Sequence, residues 1–478
     1  MSTVKLPIFN QVYRNVDEVE LQDRQALLMN GYLSELGGTN KRPGMGIFKT
    51  LNTSTNGIDG LIWWTQRDRL IAVSNEHLYD LHKIGNQYFI TDLGTNSELQ
   101  VGVRPIFTSY GDNVFGNAIF LANGGKILYT DPSNNYALTA ISDANAPTKV
   151  THVAFLDNYI LANSVGSNFF YWSDLQDPTT WTATNFASAA GSADHIVAIH
   201  VKDREIYLFG TETLEIWEDD GENPFSRVPG GFREVGCIAP YSIVSTEKGL
   251  YWFDQNRRLV NFNGSSISRV STPYDREIEK FSTIADCIGD KIEIDGRLFL
   301  VFNFKSVERT LVYNVTSDNW CEWGKYNEEE AKYSSWRANG YAFSPSWGMH
   351  LIADKETPQI LELSSKLYSD VTTPIRLKRT TGPIDYGTSK RKRSGEIRLR
   401  IKRGLGNSNP QLMIRWRDDN NRWSNEHWIP LGNAGDKEII KKVFTHGIYR
   451  TRQYEFTATS SVPVIFIDAE EDIEVLDD

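Results

Sequence analysis

Short apolar runs separated by turn-forming residues dominate the chain between residues 57 and 365. Runs such as Phe169–Trp172 and Glu205–Phe209 are rich in aromatic and β-branched side chains and end at Asp, Asn, Gly or Pro. They are too short for helices and suit a pleated strand. The residues that bound them tolerate turn geometry. The pattern therefore predicts meandering antiparallel β-structure.

A strand–turn–strand unit recurs every 35 to 50 residues along this region. Seven units can be traced, at residues 61–83, 117–131, 151–174, 195–217, 241–271, 290–324 and 333–363. That period is typical of propeller blades, each a four-stranded sheet that buries its faces against its neighbours. The second unit is weakly marked, so the pattern predicts six or seven blades. A tandem of two β-sandwiches would give similar spacing and stays open as an alternative.

The two ends of the chain follow different patterns. Residues 1–56 form an N-terminal extension or platform segment, in which residues 21–38 are expected to include a short helix that ends at Gly37 and Gly38. Residues 57–370 form the propeller. Residues 371–478 form a separate C-terminal module, in which residues 396–403 alternate between apolar and basic side chains, as in a strand with one buried face. This module is predicted to be an antiparallel β-sandwich, and the fold class is all-β.

Cysteine usage and hydropathy favour assembly in a reducing cytoplasm. The three cysteines, Cys237, Cys287 and Cys321, include no close pair, so structural disulfides are not expected. The first residues contain no apolar secretory segment, and no run approaches about 18 apolar residues. We therefore expect no membrane anchor.

Charge is distributed unevenly along the chain. Residues 371–460 carry 19 Lys or Arg and 8 Asp or Glu, whereas residues 461–478 carry seven acids and no base. With a total of −11, residues 1–370 have a net charge of −15. An acidic body thus precedes a basic module that ends in an acidic tail, a pattern that bears on the choice of partners.

The strongest concentration of basic residues lies in this module. Clustered cations could bind DNA phosphates, could dock on an acidic surface of a partner protein, or could form a solvated strand face. No aromatic residue interrupts the cluster, so sequence-specific reading of bases is not expected. The cluster consists of Lys390, Arg391, Lys392, Arg393, Arg398, Arg400, Lys402 and Arg403.

Catalytic and cofactor motifs are absent from the sequence. There is no P-loop, no dinucleotide-binding glycine motif, no metalloprotease motif and no nucleophile elbow. His77 and His82 are close, but two polar residues on a strand explain them better than a metal pair. The acidic loop at 217–224, with Asp219, Asp220 and Glu222, could hold the paired carboxylates of a glycosidase, but a solvated turn is the simpler interpretation. We expect no enzyme activity, no cofactor and no metal.

Several sequence words resemble those of a known family. They are YWSDLQDPTTW (171–181), FASAAGSADHIVAI (186–199), REIYLFGTETLEIW (204–217), FSRVPGGF (225–232) and GCIAPYSIV (236–244), with a second block at 410–432 and 449–470. In order and spacing these words resemble the packaged-DNA stabilisation proteins of short-tailed bacteriophages, which form the tail hub or nozzle. The resemblance covers about 150–275 and 405–470.

The resemblance implies a structural virion protein rather than an enzyme. Family members assemble in the host cytoplasm and occupy the tail as a ring, usually a homo-hexamer, below the portal and its adaptor. They continue and close the DNA channel, carry a fibre, spike or needle protein, and pass double-stranded DNA without sequence specificity. We expect the basic cluster to dock on the adaptor or on a neighbouring subunit, and Asp219, Asp220 and Glu222 to line or close the channel. The alternative is a carbohydrate-binding or glycosidic propeller that recognises a host receptor.

Overall fold

The fold is known from a computed structural model, which describes residues 2–6, 26–35, 37–189, 191–221, 224–403, 409–433, 436 and 438–477. Within these ranges the secondary structure is almost entirely β. The one α-helix in the described residues is a single turn, α1 (Asp275–Ile278), and 3-10 turns lie at Thr65–Arg67, Pro132–Asn134 and Pro240–Ser242. The all-β prediction is confirmed.

Five short strands come from the N-terminal segment. They are β1 (Ser2–Lys5), β2 (Leu27–Met29), β3 (Gly31–Leu33), β4 (Thr39–Lys41) and β5 (Gly44–Thr50). The helix expected over residues 21–38 is wrong wherever this segment is described, because β2 and β3 occupy it. Strand β2 pairs with strands far away in sequence, and β3 forms a hairpin with β4. Residues 21–25 and 36 lie outside the described residues.

Five consecutive four-stranded antiparallel sheets follow, each with its strands in chain order. Blade 1 is β6 (Gly60–Trp64), β7 (Arg69–Ser74), β8 (His77–Ile84) and β9 (Gln87–Thr95). Blade 2 is β10 (Ile106–Gly111), β11 (Asn117–Ala122), β12 (Leu128–Thr130) and β13 (Thr139–Ala140). Blade 3 is β14 (Val153–Leu156), β15 (Tyr159–Asn163), β16 (Phe169–Trp172) and β17 (Phe186–Ser188). Blade 4 is β18 (Ile196–Lys202), β19 (Glu205–Gly210), β20 (Leu214–Asp219) and β21 (Phe225–Arg233). Blade 5 is β22 (Val244–Thr246), β23 (Gly249–Phe253), β24 (Leu259–Phe262) and β25 (Ile267–Arg269).

Two further four-stranded sets complete the propeller. Blade 6 is β26 (Cys287–Ile294), β27 (Arg297–Phe304), β28 (Arg309–Asn314) and β29 (Asn319–Glu322), after which β30 (Gly324–Asn327) and β31 (Lys332–Ser335) form a separate hairpin. Blade 7 is β32 (Ala338–Ser344), β33 (Met349–Asp354) and β34 (Gln359–Ser364), with β5 from the N-terminal segment as its fourth strand. Strand pairing therefore assigns seven blades.

The seven blades form a closed ring. The first strands of blades 1 to 4 contact one another in order, the turn Pro240–Ser242 leads into blade 5, and β26 and β32 return the ring to β6. Apolar clusters fill the interfaces between neighbouring blades, such as that between blades 4 and 5, where Phe209 meets Trp252 with ring centroids 5.2 Å apart. Blades 5, 6 and 7 share one large cluster with the C-terminal module. The strand β5 closes the ring, because it joins the start of the chain to the last blade. The propeller prediction is confirmed.

Two short strands, β35 (Ser369–Asp370) and β36 (Thr373–Pro374), extend the sheet of blade 7 beyond β5. The strands that follow build the C-terminal module as two facing sheets. They are β37 (Leu377–Thr380), β38 (Lys392–Arg403), β39 (Gln411–Asp418), β40 (His427–Pro430), β41 (Glu438–Phe444), β42 (Ile448–Tyr449), β43 (Arg452–Ala458) and β44 (Val464–Val475). One sheet has the order β3-β4-β44-β38-β41, and the other runs β2-β37-β43-β39-β40. They share one apolar core, in which Phe456 contacts Phe466.

The second sheet of the module continues directly from blade 6. Strand β2 pairs on one side with β29, the outermost strand of the blade, and on the other side with β37. An exposed outer strand is a site of unwanted pairing, and here the module covers it. The propeller and the module therefore share one sheet of nine strands.

A buried ion pair holds this junction together. The Arg42 guanidinium bonds the Asp370 carboxylate, with a distance of 2.9 Å from Nη1 to Oδ1, and lies 5.4 Å from the centre of the Trp336 ring. Its Nε also donates to Asn30 Oδ1, which accepts a second bond from the Gly324 amide. Because Arg42 is buried, these partners together replace the water that it gives up on folding.

Candidate functional site

Most of the basic cluster lies on one long strand, β38. Its apolar residues Ile397, Leu399 and Ile401 are buried in the module core, and Arg398 and Arg400 lie on the opposite face. This alternation is the one that the sequence predicts. Lys402 is exposed near the C-terminal end of the strand, and Lys390 and Arg391 are exposed just before its start.

The acidic tail forms the strand beside this basic strand. Strand β44 runs antiparallel to β38, so Arg400 is opposite Asp468 and Arg393 is opposite Glu474. Their charged groups lie 3.5 Å and 3.2 Å apart. At the end of the strand, Lys390 Nζ lies 3.6 Å from an oxygen of Asp477.

Arg398 is the centre of the densest group of charges on this sheet. Its guanidinium donates to Glu396, at 2.6 Å, and to Asp472. The hydrogen bond to Asp472 is the main reason that the pKa of Arg398 rises, and the same bond lowers the pKa of Asp472. A hydrogen bond from Lys442 lowers the pKa of Glu396. The charges that are far apart in the sequence thus largely neutralise one another across the three strands β38, β41 and β44.

Two residues of the basic cluster point inward. Lys392 is fully buried, and its ammonium donates to the carbonyl oxygens of Thr388, Lys390 and Arg450, each at 2.7 Å. Arg403 is also buried and donates to the Gly432 carbonyl at 3.1 Å. These two side chains fix neighbouring loops, so they are not part of the exposed surface.

The acidic loop joins the two outer strands of blade 4, β20 and β21. Asp219 ends β20, and its carboxylate accepts a hydrogen bond from the Gly221 amide at 2.9 Å. The Asp220 amide donates to the Pro224 carbonyl at 3.0 Å. Glu222 lies outside the described residues. Because β18 is the innermost strand of the blade, this hairpin lies at the outer rim of the propeller, away from the propeller axis.

The propeller axis holds a cavity of about 370 Å³. Burial lowers the pKa of His152 and of His200, both of which line it, to about 4, and burial raises the pKa of Tyr241 to about 12. Arg104, also in the wall, pairs with Asp290 at 2.7 Å. The sequence reasoning missed this group, because its members come from separate blades and share no motif.

The described residues offer little for catalysis. They contain no group of three or more His, Cys, Asp or Glu side chains that could hold a metal ion. His77 bonds Asp92 at 2.8 Å, whereas His82 stacks on Phe89. All three cysteines are buried, and burial raises the pKa of each, that of Cys237 to about 12, so none is a thiolate at neutral pH.

Among the residues that the structure describes, no helix is long and apolar enough to cross a membrane.

Comparison with known proteins identifies one family. A family model described as Bacteriophage P22 Gp10, beta-propeller matches residues 19–368. No curated protein matches the chain.

Solved structures that resemble the chain include the following three. The WD40 repeats of RRP9 match at 10% identity, with 68% of this chain and 99% of that chain covered and a TM-score of 0.41. An auxiliary nutrient binding protein from Bacteroides thetaiotaomicron VPI-5482 matches at 8% identity over 68% and 76%, with a TM-score of 0.40. The extracellular domain of the one component system BT4673 from B. thetaiotaomicron matches at 9% identity over 88% and 58%, with a TM-score of 0.46. These similarities carry no argument about function.

Proposed function

The chain belongs to the bacteriophage P22 Gp10 β-propeller family, and on that premise we propose that it is the nozzle or hub of a phage tail. In this role it forms a ring, a homo-hexamer, below the portal and its adaptor. The ring continues the DNA channel, retains packaged DNA and allows its ejection. The observation that carries the proposal is the family match over residues 19–368. The family is one of phage structural proteins, which supports a non-enzymatic role in the virion.

The closed axis of the propeller supports a ring of several copies. A cavity of about 370 Å³ has room for on the order of a dozen water molecules. A DNA duplex, whose major groove alone is about 12 Å wide, cannot pass through it. A channel for DNA must therefore lie between copies of the chain, with the outer surfaces of the propellers as its wall.

The charge of the propeller suits such a wall. Residues 1–370 have a net charge of −15, and a basic wall would bind phosphates and hold the DNA. The hairpin with Asp219 and Asp220 lies at the outer rim of blade 4, where it could reach a channel between copies. We therefore propose that Asp219, Asp220 and Glu222 line the channel and help to close it.

The module is better suited to docking on protein than on DNA. Phosphate binding by Lys or Arg gains free energy from the release of counterions. Here Arg393, Arg398 and Arg400 already have carboxylate partners within the module, so DNA would have to displace them. We propose that the exposed part of the basic cluster docks on the adaptor or on a neighbouring subunit, where charges of both signs can be matched. A fibre, spike or needle protein would attach at the far end of the ring.

Electron microscopy of the purified protein, alone and with its adaptor, tests the proposal. We expect rotationally symmetric rings, at least in the presence of the adaptor, and a position on the tail axis in reconstructed virions. A reconstruction that shows single copies on the side of the particle would refute it. Binding to host surface polysaccharide without any ring would instead favour a receptor-recognition protein.

A further inference from the structure

The outer edge of the module carries a row of exposed apolar side chains. Ile440 and Phe444 on β41 are 57% and 64% exposed, and Ile448 on β42 is 50% exposed. They share the outward face with the charged residues of β38, because Ile440 pairs with Arg400 and Ile448 with Arg393. Lys442 lies between Ile440 and Phe444 on this face, so apolar side chains alternate with charged ones along the edge. Exposed apolar residues surrounded by charges are typical of a protein–protein contact.

Strand β41 is also the end of its sheet. Among the described residues it pairs with β38 alone, so its other side presents unpaired backbone groups. The sheet runs from β3, which contacts blade 6, to β41 four strands away. At about 4.8 Å between strands, the open edge lies roughly 19 Å from the propeller. An open, partly apolar edge of this kind is normally covered in the assembled state.

A second apolar patch lies on blade 3. Leu175 is 56% exposed in the loop between β16 and β17, and Phe186, at the start of β17, is 43% exposed and packs against Phe169 with ring centroids 5.4 Å apart. The loop is held in shape by its own acids. Asp174 bonds Asn185 at 2.8 Å and Asp177 bonds Thr179 at 2.9 Å. The patch is therefore formed before any partner binds.

The two patches lie on parts of the chain with opposite net charge. The module, residues 371–478, has a net charge of +4, from 19 bases and 15 acids. Blades 2 and 3, residues 106–188, contain six acids and two bases. Blade 1 also exposes apolar residues, such as Ile84, but residues 60–95 contain four acids and three bases. Charge complementarity therefore favours blade 3 over blade 1 as the counterpart of the module.

Their positions suit a head-to-tail contact. The module extends blade 6, and in a ring of seven blades the blades opposite are 2 and 3. A cyclic assembly joins two different surfaces of the same chain. We propose that each subunit places its edge strand β41, with Ile440, Phe444 and Ile448, against Leu175 and Phe186 of the next copy of this chain. This inference rests on the proposed ring.

Cysteine cross-linking tests this contact. The native cysteines are buried with raised pKa values, so they give little background. We would combine Phe444→Cys with Leu175→Cys in protein assembled on its adaptor, and apply a short bis-maleimide. The expected result is a ladder of covalent oligomers that ends at the ring size. Each single variant should give no ladder. The matched control, Phe444→Cys with Ile84→Cys, pairs the edge with an equally exposed apolar residue on blade 1 and should give none.

A substitution at the edge strand tests the same contact independently. Phe444→Asp should weaken ring formation about tenfold or more, since a central apolar anchor is lost, and should leave the unfolding midpoint unchanged. Two outcomes would overturn the contact and leave the proposed function standing, provided that electron microscopy shows rings. One is that Phe444→Cys with Leu175→Cys gives no ladder, and the other is that Phe444→Cys with Ile84→Cys gives one. Failure of the native protein to form any ring with its adaptor would overturn both.

Discussion

Lys392→Met should destabilise the protein, although Lys392 is only one of four consecutive basic residues in the sequence. The reason is that its ammonium is buried and hydrogen-bonded. The three bonds that its ammonium donates, each 2.7 Å long, tie the start of β38 to the Thr388 and Arg450 loops. Bonds to a charged donor contribute about 1.5–3 kcal/mol each. Burial of the ammonium costs part of that gain, and the freed carbonyls can regain water. We expect a net loss of about 2–4 kcal/mol.

Urea unfolding measures this loss, with Arg393→Met as the matched control. At an m-value of roughly 2–3 kcal/mol/M, the Lys392→Met midpoint should fall by about 1 M. Arg393, the next residue, is half exposed and has one ion pair of 3.2 Å with Glu474. Exposed pairs contribute about 0–1 kcal/mol, so the control should barely shift. Equal midpoints for the two variants would refute the inward position of Lys392.

Three further predictions address the junction, the axis and the acidic loop. Asp370→Asn should cost about 3–5 kcal/mol by leaving the buried Arg42 unpaired, and the double variant with Arg42→Met should recover part of the loss in the same urea experiment. His152 and His200 have pKa values of about 4 in the folded state, below the ordinary 6.5, so unfolded chains bind more protons between these values. Stability should therefore fall as the pH drops from about 6.5 toward 4, and His152→Gln with His200→Gln should flatten that dependence. Deletion of residues 219–223 should release DNA from purified particles, measured as nuclease-sensitive genome, whereas full heads with normal ejection would exclude this loop from the channel closure.

The strand content and the propeller could be predicted because their signals are local. Apolar runs, turn residues and the alternation along β38 are all set by neighbours in sequence. The placement of β5 could not be predicted in this way. It pairs with β34, some 300 residues later, and nothing in Gly44–Thr50 marks it as the fourth strand of blade 7. The prediction of a short helix was wrong for a similar reason, since β2 pairs with the distant strands β29 and β37, and the hairpin of β3 and β4 is held by the distant strand β44.

The inward turn of Lys392 has a specific cause. The pairing of β38 with β44 shifts between Ser394 and Ile397, so that one extra residue lies on β38. A bulge of this kind switches which side chains face each side of the sheet. Beyond it, Lys392 and Ser394 point inward and Arg393 points outward. A run of four basic residues looks uniform in sequence, but the bulge divides it into a structural lysine and an exposed set.

The proposed contact also predicts which side of the propeller would face the DNA. Between blade 6, which carries the module, and blade 3, which would receive it, two blades lie on one side (4 and 5) and three on the other (7, 1 and 2). In a closed ring whose propeller axes run parallel to the ring axis, the arc between the two contacts of a subunit is shorter on the inner side, so blades 4 and 5 would face the ring axis. Residues 196–233 of blade 4 carry eight acids and four bases, and the hairpin of Asp219 and Asp220 lies at the rim of that blade. The charge of the wall and the geometry of the contact therefore agree. If cross-linking moved the contact to blade 1, the shorter arc would hold blade 7 alone, and the acidic hairpin would lie on the outside of the ring.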